Sequence, residues 1–372
     1  MKSYRRKLLF LSPLPPPYYG SAISSKACLK ILENSKDFEV RNIKLNYSKS
    51  VSDVGTPNTS KFLGFFEVKK QIKKQLKEFS PDIVYFVPAT SGLGLIRDYF
   101  FVKEIKKHVG KGKILFHVRS RTINSLLNNK LYKKMFFDEK AIVLGEQLVE
   151  DVSDYIPKKN IFVLPNAIKN EISEKKFKEI LEERKKKKRV DILFISNMDK
   201  SKGWPKLLQA CKILKKKGFD FKCNFVGGFQ KEKDKEEFKE FVKNNNLEKE
   251  INYLGKKTGK EKNKILKKSD VLVFPTEYKL ETFGRVILEG MMFGLPVIAN
   301  SIASIPSIVE DKKTGFLLKE NTPEEIAENI EKLAKDQKLR EKMGKKGRQK
   351  FIKEFELEKY EKKLLEVLES SS

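Results

Sequence analysis

Short apolar runs recur along this chain, and most of them are followed by a segment with helical spacing. An apolar run of four to eight residues bounded by turn residues is typical of a strand buried on both faces. Such strands alternating with helices predict parallel sheets in an α/β fold, and argue against an all-helical or all-β chain. With 372 residues the chain is long enough for two domains of this kind.

The first series of strands and helices occupies residues 1–168. Its predicted strands are 7–11, 38–45, 81–88, 114–117, 141–144 and 161–164. A helix over 21–33 follows the first strand after a loop that contains Gly20. This opening is typical of a doubly wound domain, but a single glycine in the loop is not a dinucleotide-binding fingerprint.

Residues 169–189 are nearly all charged and end in RKKKKR, so we predict a charged linker there, either a solvated segment or a helix. A second α/β domain is predicted over 190–355, with strands at 190–196, 221–228, 251–255, 271–274 and 295–300. The final helix, within 356–372, is expected to join the first domain. A binding site is expected in the cleft between the carboxyl edges of the two sheets.

Composition limits the class of protein. Hydrophobic residues make up 39% and charged residues 35%, as in a soluble globular protein, and no apolar run approaches the length of a membrane-spanning helix. The apolar run after the basic N-terminus, residues 8–11, is too short for a signal peptide. Three cysteines without metal-ligand spacing indicate reduced thiols in a cytoplasmic protein.

The net charge of +29 indicates anionic partners. Nucleic acid, an anionic membrane and an anionic substrate all remain open, as does a lysine-rich proteome. Residues 62–79 predict a basic amphipathic helix with a phenylalanine cluster at its start, Phe62, Phe65 and Phe66. This cluster is a candidate for peripheral contact with anionic lipid, although most such apolar stripes are core contacts.

Two glutamates flank the start of a predicted helix in the stretch DVLVFPTEYKLETFGRVILEGMMFG, residues 270–294. At about 1.5 Å rise per residue, Glu281 and Glu289 lie on the order of 12 Å apart. Paired carboxylates of glycosidases lie roughly 5 to 9.5 Å apart, so a hydrolytic pair fits poorly. A longer ligand held at both ends fits better, with a phosphate at the helix N-terminus between the carboxylates.

The stretch ETFGRVILEGMMFGLPVIANSIASIPSIVEDKKTGFLL, residues 281–318, resembles glycosyltransferase family 4. The shared features are a glutamate, seven residues and a second glutamate, then a Gly-Leu-Pro-Val strand and a later Gly-Phe. Weaker matches are PPPYYGSA, HVRSR, LPNAI and FISNMDKSKG. The resemblance implies two Rossmann-like domains facing across a cleft (the GT-B fold), with the acceptor on the first and the donor on the second.

The resemblance also implies residue roles. Glu281 would hold hydroxyls of the transferred sugar, and Glu289 the ribose hydroxyls. Lys202 would neutralise the diphosphate, and His117 would lie near the reacting sugar. The remaining donor-binding residues would be Gly20, Asn197, Lys200, Thr282 and the backbone N–H groups of Phe283 and Gly284.

The chain departs from the family pattern at three positions, and its first loop has one glycine, Gly20, where relatives often have two. Asn197 stands where an arginine that pairs with the diphosphate is usual, and an amide cannot supply that charge. Lys200 or Lys202 would then carry it. Ala167 and Ser196 each replace a usual glycine. These changes leave the donor's identity open.

The resemblance implies a retaining, metal-independent transferase without a cofactor, and no Asp-x-Asp metal motif is evident. It would move a sugar from a nucleoside diphosphate, UDP or GDP first, to a glycan or lipid-linked acceptor at the cytoplasmic face. The loops 47–59 and 122–130 are expected to choose the acceptor. One alternative is a sugar-nucleotide epimerase of the same architecture. Another is a basic nucleic-acid-binding protein, although no nucleic-acid module is evident and no nucleic-acid partner is expected.

Overall fold

The first sheet has six parallel strands in the order β2-β1-β3-β4-β5-β6. The structure, a computed structural model, describes residues 5–17, 19–45, 59–122 and 125–370, and for 59–63 the backbone alone. The strands of this sheet are β1 Arg6–Ser12, β2 Phe38–Lys44, β3 Ile83–Phe86, β4 Ile114–His117, β5 Lys140–Val143 and β6 Ile161–Val163. The helices between them are α1 Gly20–Asn34, α2 Thr59–Glu78, α3 Gly92–Ile105, α4 Leu126–Phe136 and the short α5 Glu150–Ser153.

The second sheet also has six parallel strands, in the order β12-β11-β10-β7-β8-β9. Its strands are β7 Val190–Ile195, β8 Phe221–Val226, β9 Ile251–Gly255, β10 Val271–Phe274, β11 Val297–Asn300 and β12 Gly315–Leu318. The helices that accompany it are α6 Glu174–Lys185, α7 Trp204–Lys216, α8 Glu232–Asn244, α9 Gly259–Lys268, α10 Arg285–Met292, α11 Ile305–Ile308, α12 Pro323–Lys335, α13 Gln337–Lys350 and α14 Leu357–Ser370. A π-helical turn, Phe351–Phe355, links α13 to α14.

Each sheet reverses its strand order once. In the second sheet β7 pairs with β8 on one side and with β10 on the other. In the first sheet β1 likewise separates β2 from β3. Ligands of open parallel sheets bind at such reversals, outside the carboxyl ends of the strands. The loops after β7 and β10, and those after β1 and β3, are therefore the places to look for a site.

The chain divides into two units. One contains Met1–Asn166 and Tyr360–Ser372, and the other contains Ala167–Lys359. The boundary lies two residues before the predicted one, and the end of α14 belongs to the first unit. The acceptor loop predicted at 47–59 lies outside the described residues except for Thr59, which begins α2. The loop predicted at 122–130 is in part helix, since α4 begins at Leu126.

The predicted charged linker is not a solvated segment over most of its length. Much of it is helix α6, which belongs to the second unit and buries Phe177, Ile180 and Leu181. Arg184 at the end of this helix donates to the carbonyls of Phe293 and Leu266, at 2.9 and 3.0 Å. Three apolar residues at helical spacing are enough to seat a helix whose other positions are charged.

Helix α2 carries the predicted apolar stripe on its buried face. Its buried members are Val68, Ile72 and Leu76, while Phe65 is half-buried and Phe66 is exposed. The Phe65 ring stacks on Phe101, 5.4 Å between centroids. The side chain of Phe62 lies outside the described residues. Within the described part of the chain, no helix is long and apolar enough to cross a membrane.

Candidate functional site

Hydrogen bonds fix the conformation of the loop after β7. Met198 N donates to the Gly228 carbonyl at 3.0 Å, and the Asp199 carboxylate accepts from Ser201 N at 2.9 Å. A 3₁₀ turn over Lys200–Lys202 follows, and Gly203 closes it with a φ of +87°. A Cβ at Gly203 would lie 2.1 Å from the Pro275 carbonyl oxygen, so only glycine permits this close approach to the loop after β10.

Lys202 and Glu281 form an ion pair where these two loops meet. Lys202 Nζ lies 2.9 Å from Glu281 Oε2, and the two side chains are only 16% and 13% exposed. The same ammonium lies 3.9 Å from the centroid of the Tyr278 ring. The ring shields one side of the pair. The topological reversal of the second sheet thus carries one cation and one carboxylate, both largely removed from water.

The second oxygen of Glu281 holds the start of helix α10. Oε1 accepts from Gly284 N at 3.1 Å, and Gly284 has a left-handed φ of +71°. The helix begins at Arg285, two residues later than predicted, and Phe283 is buried. The Gly284 N–H, predicted to contact the donor, is therefore engaged by Glu281 in this structure. Thr282, also buried, accepts from Ser304 N through its carbonyl at 3.1 Å.

Glu289 lies little more than one turn into α10, instead of the two turns predicted. Its Oε1 accepts from Lys262 Nζ of helix α9 at 2.7 Å, and the two side chains are 15% and 23% exposed. Its Oε2 is buried and has no hydrogen-bond partner among the described residues. A buried carboxylate oxygen without a donor costs about 1–3 kcal/mol, and a ligand hydroxyl would remove that cost.

Lys200 and Asn197 do not join this group. The Lys200 ammonium contacts Glu237 on helix α8 and lies 3.7 Å from Asp234, away from the Lys202–Glu281 pair. Asn197 is exposed. Of the two lysines predicted to replace the usual arginine, Lys202 is the one placed beside Glu281.

His117 ends strand β4 of the first unit and is fully buried. Its Nδ1 contacts the Tyr85 hydroxyl and lies 3.2 Å from an amino group of Arg119. Burial, and secondarily the nearby Arg119 charge, hold the pKa of His117 well below its usual range. Nε2 is buried and has no hydrogen-bond partner among the described residues. The ring is neutral and can donate one hydrogen bond.

Sequence reasoning missed the groups around His117. Arg119 donates to Asn166 Oδ1 at 2.8 Å and approaches the Tyr360 hydroxyl at 3.4 Å, and the Cys28 thiol lies 3.4 Å from the Tyr85 hydroxyl. Arg119 and Asn166 stand in the motifs HVRSR and LPNAI. Nothing in the chain order indicates that these motifs and the final helix share one buried network.

Gly20 is the first residue of α1, one position earlier than the predicted helix start. A Cβ there would meet nothing within 4 Å, so the packing of the fold does not require glycine at this position. Among the described residues, no group of three or more His, Cys, Asp and Glu side chains is placed to hold a metal ion.

Comparison with known proteins identifies the class. Residues 175–350 match the model of the family Glycosyl transferases group 1. Two six-stranded parallel sheets with flanking helices are the fold of the GT-B glycosyltransferases. The family match agrees with the resemblance predicted from residues 281–318, although it does not single out family 4.

Similar proteins cover most of the chain. An uncharacterised 41.2 kDa protein in the cps region of Klebsiella pneumoniae is 28% identical over 66% of this chain and 68% of its own length. The capsular polysaccharide biosynthesis glycosyltransferase CapM of Staphylococcus aureus is 26% identical over 79% of this chain and 78% of its own length. The crystal structure of Anabaena HepE in complex with UDP and glucose has a TM-score of 0.72. Its sequence is 15% identical, and the match covers 98% of this chain and 100% of HepE.

Proposed function

We propose that this protein is a retaining glycosyltransferase that takes a sugar from a nucleoside diphosphate and adds it to a glycan or lipid-linked acceptor in polysaccharide synthesis. The observation that carries this proposal is the grouping of Lys202, Glu281 and Glu289 around the start of α10, at the strand-order reversal of the second sheet. CapM, a relative named for capsular polysaccharide biosynthesis, supports the product class.

The donor lies along α10, with its sugar toward Glu281 and its nucleoside toward Glu289. Glu281 accepts from sugar hydroxyls, and Lys202 turns from Glu281 to the diphosphate. Lys202 keeps an anionic partner throughout, because the diphosphate replaces the carboxylate. The ammonium and the positive end of the α10 dipole then stabilise the charge that builds on the leaving diphosphate.

Glu289 binds the ribose. Its Oε1 is fixed by Lys262, and its buried Oε2 accepts from a ribose hydroxyl. A ligand with two adjacent hydroxyls satisfies an oxygen that the folded chain leaves without a donor. This makes the ribose a recognised part of the donor.

Transfer proceeds through an oxocarbenium-like state in which the sugar–phosphate bond breaks before the new bond is complete. The acceptor hydroxyl enters from the face that the leaving group vacates, which retains the anomeric configuration. The departing phosphate takes the acceptor's proton. No protein nucleophile and no metal ion take part in this scheme.

A lipid-linked acceptor implies contact with a membrane, and helices α2 and α3 offer a suitable surface. Phe66 and Phe100 are 54% and 42% exposed, and both rings contact Phe65. Lys70, Lys73 and Lys74 are exposed on α2. Exposed aromatic rings beside lysines are the chemistry that binds the interface of an anionic bilayer, here the cytoplasmic face.

A sugar-nucleotide epimerase would bind its substrate through the same residues. It would convert the donor without any acceptor and would not need a membrane surface. Incubation with donor alone separates the two functions: an epimerase yields an isomeric nucleotide sugar, whereas a transferase yields at most slow release of nucleoside diphosphate.

The test is a thermal-shift and nucleotide-release screen against UDP-, GDP-, ADP- and CMP-sugars. We expect one class of nucleotide sugar to stabilise the protein. UDP-sugars are the first to try, since HepE was crystallised with UDP. Wild-type protein should bind UDP more tightly than 2′-deoxy-UDP, and Glu289→Gln should remove that preference. Glu331→Ala, which breaks an ion pair with Lys217 elsewhere in the second unit, is the matched control. No response to any of the four classes would overturn the proposal.

A further inference from the structure

The hydrogen bonds around His117 fix the position of its proton. An arginine side chain can only donate, so the ring nitrogen that faces Arg119 must accept. That nitrogen is Nδ1, 3.2 Å from the Arg119 amino group. A neutral imidazole has one N–H, and with Nδ1 accepting, the hydrogen lies on Nε2.

The Tyr85 hydroxyl agrees with this assignment. It contacts His117 Nδ1 and lies 3.4 Å from the Cys28 sulfur. A consistent arrangement has the Cys28 thiol donating to the Tyr85 oxygen, and the Tyr85 hydroxyl donating to Nδ1. Two donors then point at one nitrogen, and all the groups involved are buried.

Arg119 is held rigidly. One amino group donates to Asn166 Oδ1 at 2.8 Å, and the other lies 3.4 Å from the Tyr360 hydroxyl of helix α14. Because the guanidinium is planar, two such contacts on separate amino groups fix its orientation. Arg119 therefore presents its N–H to Nδ1 in a set direction, and a charge this close also opposes a second proton on the ring.

We infer that Arg119 is a positioning residue, which keeps His117 as a neutral ring with its hydrogen on Nε2, free to donate to an acceptor oxygen of a bound ligand. This inference rests on the proposed function for the identity of the acceptor oxygen, but the tautomer itself does not. The buried Nε2, without a partner among the described residues, is the second observation that points to a ligand. On this assignment His117 does not act as a general base at Nε2.

The test reads the tautomer directly, by nitrogen NMR of the ligand-free protein labelled at histidine. The chain has only two histidines, His108 and His117, and His108 is exposed. His108→Gln assigns the signals. We expect the His117 ring to show the Nε2–H pattern from pH 6 to 8. An Nδ1–H pattern, or a titrating His117 in this range, would overturn the inference.

Variants distinguish the effect of Arg119 on the His117 tautomer from the effect of its neighbours. Arg119→Met should give a mixed tautomer signal and let the ring begin to titrate, because one donor and one charge are gone. Tyr85→Phe should keep the Nε2–H pattern, because Arg119 still donates. Arg121→Met is the matched control, since Arg121 pairs with Asp151 at the surface. An unchanged His117 signal in Arg119→Met would contradict the assignment.

Steady-state kinetics distinguish a positioning role from a purely structural one, because a positioning role affects kcat more than KM. With UDP-glucose as the first donor tried, Arg119→Met should lower kcat about tenfold or more and change KM for the donor less, as when an outer partner of a catalytic group is removed. Arg119→Lys keeps a donor and a charge and should restore part of kcat. If the wild-type protein responds to no donor class, the proposed function fails while the NMR result stands. If it turns over donor but His117 carries its hydrogen on Nδ1, only the inference fails.

Discussion

Lys202 Nζ and Glu281 Oε2 lie 2.9 Å apart, although the two residues are separated by 79 positions in the chain. The pair bridges the loops that follow β7 and β10, which are neighbours in the second sheet. Both residues were predicted to bind the donor, at the sugar and at the diphosphate. In the structure each side chain fixes the position of the other, and the proposed mode of donor binding requires the pair to separate.

Glu281→Ala should abolish transfer. It should also lower the free energy of unfolding by about 1–3 kcal/mol, because Gly284 N–H and the Lys202 ammonium each lose a partner. Glu277→Ala is the control, since Glu277 lies on the same loop and pairs at the surface with Lys206. Product formation and chemical denaturation measure the two effects, and a fully active Glu281→Ala protein would contradict the assigned role.

Lys202→Ala should weaken binding of nucleoside diphosphate by tenfold or more, which corresponds to about 1.4 kcal/mol or more. The lost charge faces an anion in a partly buried place, so the effect should persist at moderate salt. Isothermal titration calorimetry with UDP measures it. Lys206→Ala removes a nearby surface lysine and should leave affinity unchanged. Equal affinities for wild type and Lys202→Ala would move the role to another cation.

Gly203→Ala should destabilise the protein far more than Gly218→Ala. The two glycines flank helix α7, and both have positive φ, +87° and +73°. A Cβ at Gly203 would lie 2.1 Å from the Pro275 oxygen, whereas one at Gly218 would meet nothing within 4 Å. We expect about 1–2 kcal/mol for the backbone conformation at either site, and about 1–3 kcal/mol more at Gly203. Urea denaturation compares them, and equal losses would show that the close approach is not a constraint.

Glu139 should make stability depend on pH. Burial raises the pKa of its carboxyl from 4.5 to about 7, although Ile114 N donates to it at 3.0 Å. Between about pH 4.5 and 7 the unfolded chain loses this proton while the folded protein keeps it. Stability therefore falls as pH rises, by on the order of 3 kcal/mol once pH passes 7.

Glu139→Gln should remove this dependence, because an amide has no proton to lose. The melting temperature of the variant relative to wild type should rise between pH 5 and pH 8. Glu331→Gln, at the ion pairs with Lys217 and Lys335 in the second unit, serves as the control. A constant difference between Glu139→Gln and wild type across this range would show that Glu139 is already ionised at pH 5.

The surface formed by Phe66 and Phe100 should bind anionic vesicles. Replacing both by Ser should reduce co-sedimentation with vesicles that contain phosphatidylglycerol, while Phe137→Ser, at an exposed ring beyond the end of α4, should not. Binding should weaken with salt, because the neighbouring lysines supply part of the attraction. Absence of sedimentation at low salt would remove the membrane contact from the proposed function.

The order of strands and helices in the two α/β domains followed from the sequence, because each buried strand is a local apolar run that needs no knowledge of its neighbours. The same holds for the placing of Glu281 and Glu289 on either side of a helix start. For the helix in 174–185, the sequence left a solvated segment and a helix open, because its three apolar residues matter only once a partner surface is present to bury them. Local charge dominated that pattern.

Contacts between distant segments were decided by tertiary structure alone. Lys202 and Lys200 are equivalent in sequence, yet only the first reaches Glu281, because the 3₁₀ turn between them points their side chains in different directions. Arg119 and Tyr360 are 241 residues apart, and their contact depends on where α14 packs. A chain determines its elements through local periodicity. The partner of each charged group is determined by which strands become neighbours, and no local pattern encodes that choice.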